Sequence, residues 1–240
     1  MVVLAVVGVL LAVAFPALSR SRTAAREMKC LANARQLGSI IVAYSVDYKG
    51  FFPTWVTDGP STASNEARWR RYTQQAGRLF NRTRWIEYSG LDASQPVYRC
   101  PANGEYRAVG RKAIFDYYGS DAMYADPKFL DPDLPREAWE GKFGGRAQFI
   151  DSVRFPSAKV GFFEWYVWHA WRGAYVEGPV ERRGLSVVET TGASTMWFLD
   201  GSASGLRYAD ALPSVERGPY WYSHPVFLTA HGVWGRDRAP

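Results

Sequence analysis

The first eighteen residues, MVVLAVVGVLLAVAFPAL, contain no charged side chain, and the first charge is Arg20. A helix of that length spans about 27 Å at ~1.5 Å per residue, close to the ~30 Å of a bilayer's hydrocarbon. A helix in a soluble core normally keeps one polar face, and this run has none. The run is therefore a membrane anchor or a cleaved secretory signal. Ala12-Val13-Ala14 supplies the small-x-small triplet of a signal, but no basic residue precedes the run as a signal would require.

The continuation favours the anchor. From Ser19 to about Tyr48, Met28, Leu31, Ala34, Leu37, Ile41, Tyr44 and Tyr48 recur at steps of three and four and form one apolar stripe. Arg20, Arg22, Arg26, Lys29, Arg35 and Gln36 lie mostly off it. Pro16 should kink the helix without ending it, and Gly50 followed by Pro53 should end it. The expectation is one helix of about 49 residues, roughly 70 Å long, apolar all round in residues 1–18 and amphipathic in 19–50. A cleaved signal would not run on as the same helix.

Charge follows the same division. The 240 residues carry a net +6, with 29 Lys and Arg against 23 Asp and Glu. Residues 1–50 hold six basic and two acidic groups, so +4 lies there and +2 is left for 51–240. A nearly neutral head argues against a nucleic-acid partner. The composition, 47% apolar and 22% charged, excludes a disordered chain, a collagen and a multi-span membrane protein. Two cysteines are too few for a disulfide scaffold.

Residues 1–53 resemble the N-terminal helix of type IV pilin-like proteins, and more narrowly of bacterial pseudopilins with a prepilin-type cleavage/methylation segment. The resemblance rests on Pro16-Ala17-Leu18 closing the apolar run, then Cys30, Arg35-Gln36-Leu37-Gly38, Tyr44 and Gly50-Phe51-Phe52-Pro53. It continues in Cys100-Pro101 and in Asp200-Gly201 of TMWFLDGSAS, the family's late hairpin turn, although Thr190 stands where that signature has a histidine. Aligned on Pro16, the chain opens without the basic leader and the first mature residues, glutamate included. The expectation is that Met1 is internal to a longer reading frame. The basic residues after the run would by themselves favour a cytoplasmic head, and a leader would supply the opposite balance.

The resemblance implies an α+β, pilin-like fold: the long helix packed on a C-terminal antiparallel sheet with long loops, and a head over 51–240. It implies a structural subunit of a type IV pilus-like or type II secretion filament, not an enzyme. Met1, Val2, Val3, Leu4, Val6, Val7, Val9, Leu10, Leu11, Val13, Phe15, Pro16 and Leu18 would form the membrane and filament-core segment. The head would sit in the periplasm, and later on the filament or cell surface. Partners would be like subunits, inner-membrane lipid and the assembly machinery.

Within the head, Lys159–Trp168, Leu185–Glu189 and Ser194–Leu199 read as strands. Asp200-Gly201 turns into Ser204–Tyr208, and Val97–Cys100 reads as a short strand. Glu66–Leu79 reads as a surface helix. Its arginines and their neighbours (Arg68, Arg70, Arg71, Arg78, Arg82, Arg84) interleave with Trp69, Tyr72, Phe80 and Trp85, either as a solvated face or as a single-strand nucleic-acid grip.

Recognised catalytic patterns are missing. GSASG at 201–205 has its serines at the wrong spacing for a nucleophile elbow, and there is no HExxH, P-loop or GxGxxG. His169, His224 and His231 lack metal-site spacing. No cofactor is expected. Calcium is the one ion considered, through Asp116 with Asp121 or Asp131 with Asp133. Cys30 and Cys100 are either two buried thiols or, in an oxidising compartment, a disulfide closing a loop of about 70 residues, worth ~4 kcal/mol. The aromatic fraction of 15% either packs the sheet onto the helix or presents rings to polysaccharide. A membrane-anchored or secreted extracytoplasmic carbohydrate-binding protein is thus the alternative to the filament subunit.

Overall fold

A computed structural model of the chain describes residues 2–52, 95–101, 117–120, 123, 125–139, 148–164, 193–207, 210–212, 215 and 229–239. Met1, Pro53, the Glu66–Leu79 stretch with its arginines and aromatics, Asp116, Asp121, Trp168, His169, Leu185–Glu189 and His224 lie outside the described residues.

Helix α1, Val2–Asp47, is unbroken over 46 residues with Pro16 inside it. A proline removes one backbone hydrogen bond, and here it does not end the element. Past Asp47, Lys49 and Gly50 take left-handed φ values of 56° and 83°. Gly50 N–H then turns back to Ser45 C=O at 2.7 Å, the six-to-one bond of a Schellman-type cap. The chain leaves the cap beside residues 148–150. Phe52 N–H donates to Gln148 C=O at 2.9 Å, and the Phe51 and Phe149 rings meet at 3.9 Å.

The sheet has four antiparallel strands in chain order: β1 Tyr117–Gly119, β2 Val160–Glu164, β3 Ala193–Phe198 and β4 Ala203–Arg207. A short helix, α2 Arg136–Trp139, lies between β1 and β2 in sequence. The β3–β4 hairpin turns at Asp200-Gly201. Asp200 Oδ1 accepts from Ser202 N–H at 2.9 Å and from Ser202 Oγ at 2.6 Å. Gly201 has φ 89°, the left-handed region where glycine carries no steric penalty. The α+β arrangement expected from the sequence is the one observed, with α1 packed on β3 and β4.

Only the second part of α1 is in the core. Cys30, Ala34, Leu37, Ile41 and Tyr44 are buried at steps of four and three, joined by Asn33, Gly38 and Ser45. The expected stripe is too long at both ends. Met28 is 61% exposed and Tyr48 45%, because the head covers about 24 Å of a helix of ~69 Å. The centre of the contact is Trp197 of β3, fully buried and stacked on Phe162 of β2 at 5.2 Å. It lies against Gly38 of α1 on one side and Gly161 of β2 on the other, where a Cβ would collide with the indole. Tyr44, Phe52, Tyr98, Tyr117, Phe162, Phe163 and Phe198 fill the space around it. The aromatics among the described residues serve helix-on-sheet packing, apart from surface rings such as Phe149 and Phe155.

Two local expectations change. The stretch read as a strand at Val97–Cys100 begins as a 3₁₀ turn, Pro96–Tyr98, since Pro96 fixes φ at its first position and donates no ladder hydrogen bond. The strand read over Lys159–Trp168 begins at Val160 and is described as far as Glu164, residues 165–168 lying outside the described residues, and it has a register irregularity between Val160 and Phe162.

The end of the chain is fastened to the start of β2 through a buried ion pair. Lys159 and Asp237 are both fully buried, with Nζ 2.6 Å from Oδ1. Lys159 Nζ also donates to Thr229 Oγ1 at 2.7 Å, the Thr229 hydroxyl donates to Asp237, and Val160 N–H donates to Asp237 Oδ2 at 2.6 Å. Burial pushes the lysine down and the aspartic acid up, each against the pull of its partner's charge. The four hydrogen bonds keep the pair satisfied in the core.

Candidate functional site

Residues 2–29 of α1 are exposed along their whole length. Val2, Val3, Leu4, Val6, Val7, Val9, Leu10, Leu11, Val13, Phe15 and Leu18 expose between 45% and 78% of their surface, and Pro16 is exposed among them. At roughly 1.5–3 kcal/mol for each large side chain removed from water, eleven such residues represent on the order of 20 kcal/mol of unrealised burial. No soluble surface needs that. The segment is long and apolar enough to cross a membrane. Arg20, Arg22, Arg26 and Lys29 follow within three turns and are all exposed, a basic collar at the end of the apolar segment. Lipid tails or a second apolar helix would satisfy the segment, and anionic groups would satisfy the collar.

The second site lies where α1 enters the head. Cys30 is the first buried residue of the helix, and its Sγ is 2.7 Å from Sγ of Cys100, 70 residues later. The segment carrying Cys100 is held to the helix by Asn33, whose Nδ2 donates to Arg99 C=O at 3.0 Å and Pro96 C=O at 3.4 Å. Tyr117 of β1 donates its hydroxyl to Cys30 C=O at 3.2 Å. Glu164, at the end of β2, is also fully buried, and its carboxylate accepts from Thr195 N–H at 3.4 Å. The donor atoms of Cys30, Cys100 and Glu164 all lie within 4.8 Å of one another, and among the described residues this is the one group able to hold a metal. Burial pushes the Cys100 thiol well above its ordinary 9.0, and the neighbouring Cys30 and Glu164 push it further. Burial raises Tyr117 in the same way. Cys30 and Cys100 are thus two buried sulfurs in contact, and the raised Cys100 thiol is a poor nucleophile in the folded protein, which suits a structural role.

The other candidates are ordinary. Asp131 Oδ1 accepts from Asp133 N–H at 3.1 Å in an exposed turn. His231 is exposed in a left-handed turn. Asp200 and Gly201 build the hairpin turn. The pairing of Glu164 with the cysteines has no sequence signal, because the three positions are scattered and only the fold brings them together.

No protein-family model, characterised protein or solved structure matches this chain.

Proposed function

We propose that the protein is a structural subunit, a pilin or pseudopilin, of a type IV pilus-like or type II secretion filament. The observation that carries this reading is the division of one continuous helix, with residues 2–29 wholly exposed and residues 30–45 forming the spine of the head. A simple tether has no need to extend its membrane segment directly into the core of the domain it holds. A filament subunit does, because the exposed half must carry the head at a fixed orientation. Before assembly, Val2–Leu18 lies in the inner membrane and the head lies in the periplasm. On assembly the apolar halves leave lipid for one another, packing as a central bundle, and the heads form the outer coat. Arg20, Arg22 and Arg26 serve first at the headgroups and then at neighbouring subunits. The function is structural, through self-association and contact with assembly machinery, with no catalytic step.

The test is assembly of the full chain and of Val9→Glu. A carboxylate in mid-segment costs several kcal/mol in an apolar surrounding. The expected result is filaments by electron microscopy and carbonate-resistant membrane association for the native sequence, with both lost in the variant. Membrane-bound or free monomers that never associate, and that bind polysaccharide, would overturn the filament reading in favour of an anchored carbohydrate-binding protein.

A further inference from the structure

We propose that Cys30 and Cys100 form an intrachain disulfide that staples the spine helix to the head, and that it closes during folding, before the helix docks. The proposal rests on the periplasmic placement of the head in the filament reading, since that compartment supplies oxidant.

Three observations carry it. The sulfurs are 2.7 Å apart, so a shift of well under an ångström brings them to the ~2.05 Å of a disulfide. Two thiolates sharing a zinc through ~2.3 Å bonds in tetrahedral geometry would instead have to move apart. Among the described residues the donors number three, Cys30, Cys100 and Glu164, where a closed zinc site takes four. Finally, the two cysteines join segments 70 residues apart that are otherwise held at this point by the amide of Asn33.

The chemistry balances by thiol–disulfide exchange with an oxidised dithiol protein. One cysteine thiolate attacks the donor's S–S bond, forming a mixed disulfide and releasing one donor thiolate. The second cysteine, as thiolate, attacks the mixed disulfide and expels the other donor sulfur. Two protons leave the cysteines, and two electrons pass to the donor, which departs as a dithiol. An attacking sulfur must approach along the bond it breaks. With Cys30 at 0% and Cys100 at 3% exposure, the docked pair offers no such approach. Oxidation therefore precedes docking, and afterwards the bond is closed to reductants.

The experiment uses the full chain expressed in a bacterium with an oxidising periplasm. Membranes are denatured in acid and detergent, then labelled with a polyethylene-glycol maleimide before or after reduction. The expected result is no tag before reduction and two after it. In undenatured, detergent-solubilised protein, dithiothreitol should leave the pair unlabelled until urea is added. Protease digestion of intact spheroplasts reports the side of the membrane independently. Two tags without reduction overturn the disulfide: if the head is digested from outside, the periplasmic placement stands, and if it is protected, both fall. Two tags accompanied by one tightly bound zinc per chain overturn it in favour of a metal site. A dimer that collapses on reduction overturns the intrachain bond, and rapid reduction without urea overturns the closure before docking.

Discussion

Gly38 of α1 and Trp197 of β3 meet with no room for a methyl group between them, since a Cβ on Gly38 would lie under 3.0 Å from three atoms of the indole. Gly161 of β2 faces the same ring with the same lack of space. The largest fully buried side chain among the described residues thus sits between two positions that only glycine can fill while the ring stays in place.

Gly38→Ala is expected to destabilise the head. Alanine gains about 0.8–1.0 kcal/mol of helix propensity, but overpacking against a rigid ring costs ~1–3 kcal/mol. Denaturant midpoints should show a net loss of up to about 2 kcal/mol. Adding Trp197→Leu should make the alanine neutral or favourable, giving a coupling energy in a double-mutant cycle; additive effects would mean that the ring is not what excludes the methyl.

The oxidised and reduced forms should differ in stability. A cross-link closing a loop of this length removes chain entropy worth about 4 kcal/mol in the unfolded state. For a chain of this size that corresponds to a Tm lower by roughly 10 °C after reduction under denaturing conditions and refolding. Calorimetry of the Cys30→Ser, Cys100→Ser double variant should give the reduced value whatever the redox conditions.

Alkaline pH should distinguish the same two forms. Cys100 and Tyr117 are held protonated in the fold beyond their ordinary 9.0 and 10.0. A raised folded value means the stabilisation is complete below the unfolded value and is lost as pH climbs past it, because only the unfolded chain releases the proton. Reduced protein should lose stability from about pH 9, at ~1.4 kcal/mol per pH unit for each such group. With Cys100 in a disulfide, the decline should begin near pH 10, from Tyr117. Urea midpoints from pH 7 to 11 read the difference, and a common onset for both forms would contradict it.

Lys159 and Asp237 should behave as an all-or-none pair. Asp237→Ala leaves a buried ammonium without its countercharge and should cost about 3–5 kcal/mol. Lys159→Met with Asp237→Leu removes both charges and should recover most of that loss, because burial opposes the charged state of each partner. Thermal unfolding of the three proteins is sufficient to check the order.

The parts of this fold that were legible in the sequence are those set by neighbours along the chain. The uncharged run, the steps of three and four after it, and the Asp200-Gly201 turn are local patterns; the helix and the turn stand where they were read, and the stripe holds from Ala34 to Tyr44. The stripe overshot at Met28 and Tyr48 because periodicity gives a helix's face but not how much of it a partner covers. The 3₁₀ turn at Pro96–Tyr98 was missed because Val97 and Tyr98 have strand propensity while the proline ahead of them sets the backbone. Lys159 reads in the sequence only as the first residue of a strand. Its partners, Thr229 and Asp237, lie 70 and 78 residues on, and nothing nearby announces them. The cysteines were visible as a pair, but Glu164 beside them was not, for the same reason of distance.

Gly38 is also the single glycine of α1 after Pro16, the place where a long rod would most readily flex. Trp197 splints it. With the indole against it, the covered part of α1 has no slack at its own glycine, so a push or twist that reaches Cys30 along the helix should pass on to β3 instead of being spent in bending at Gly38.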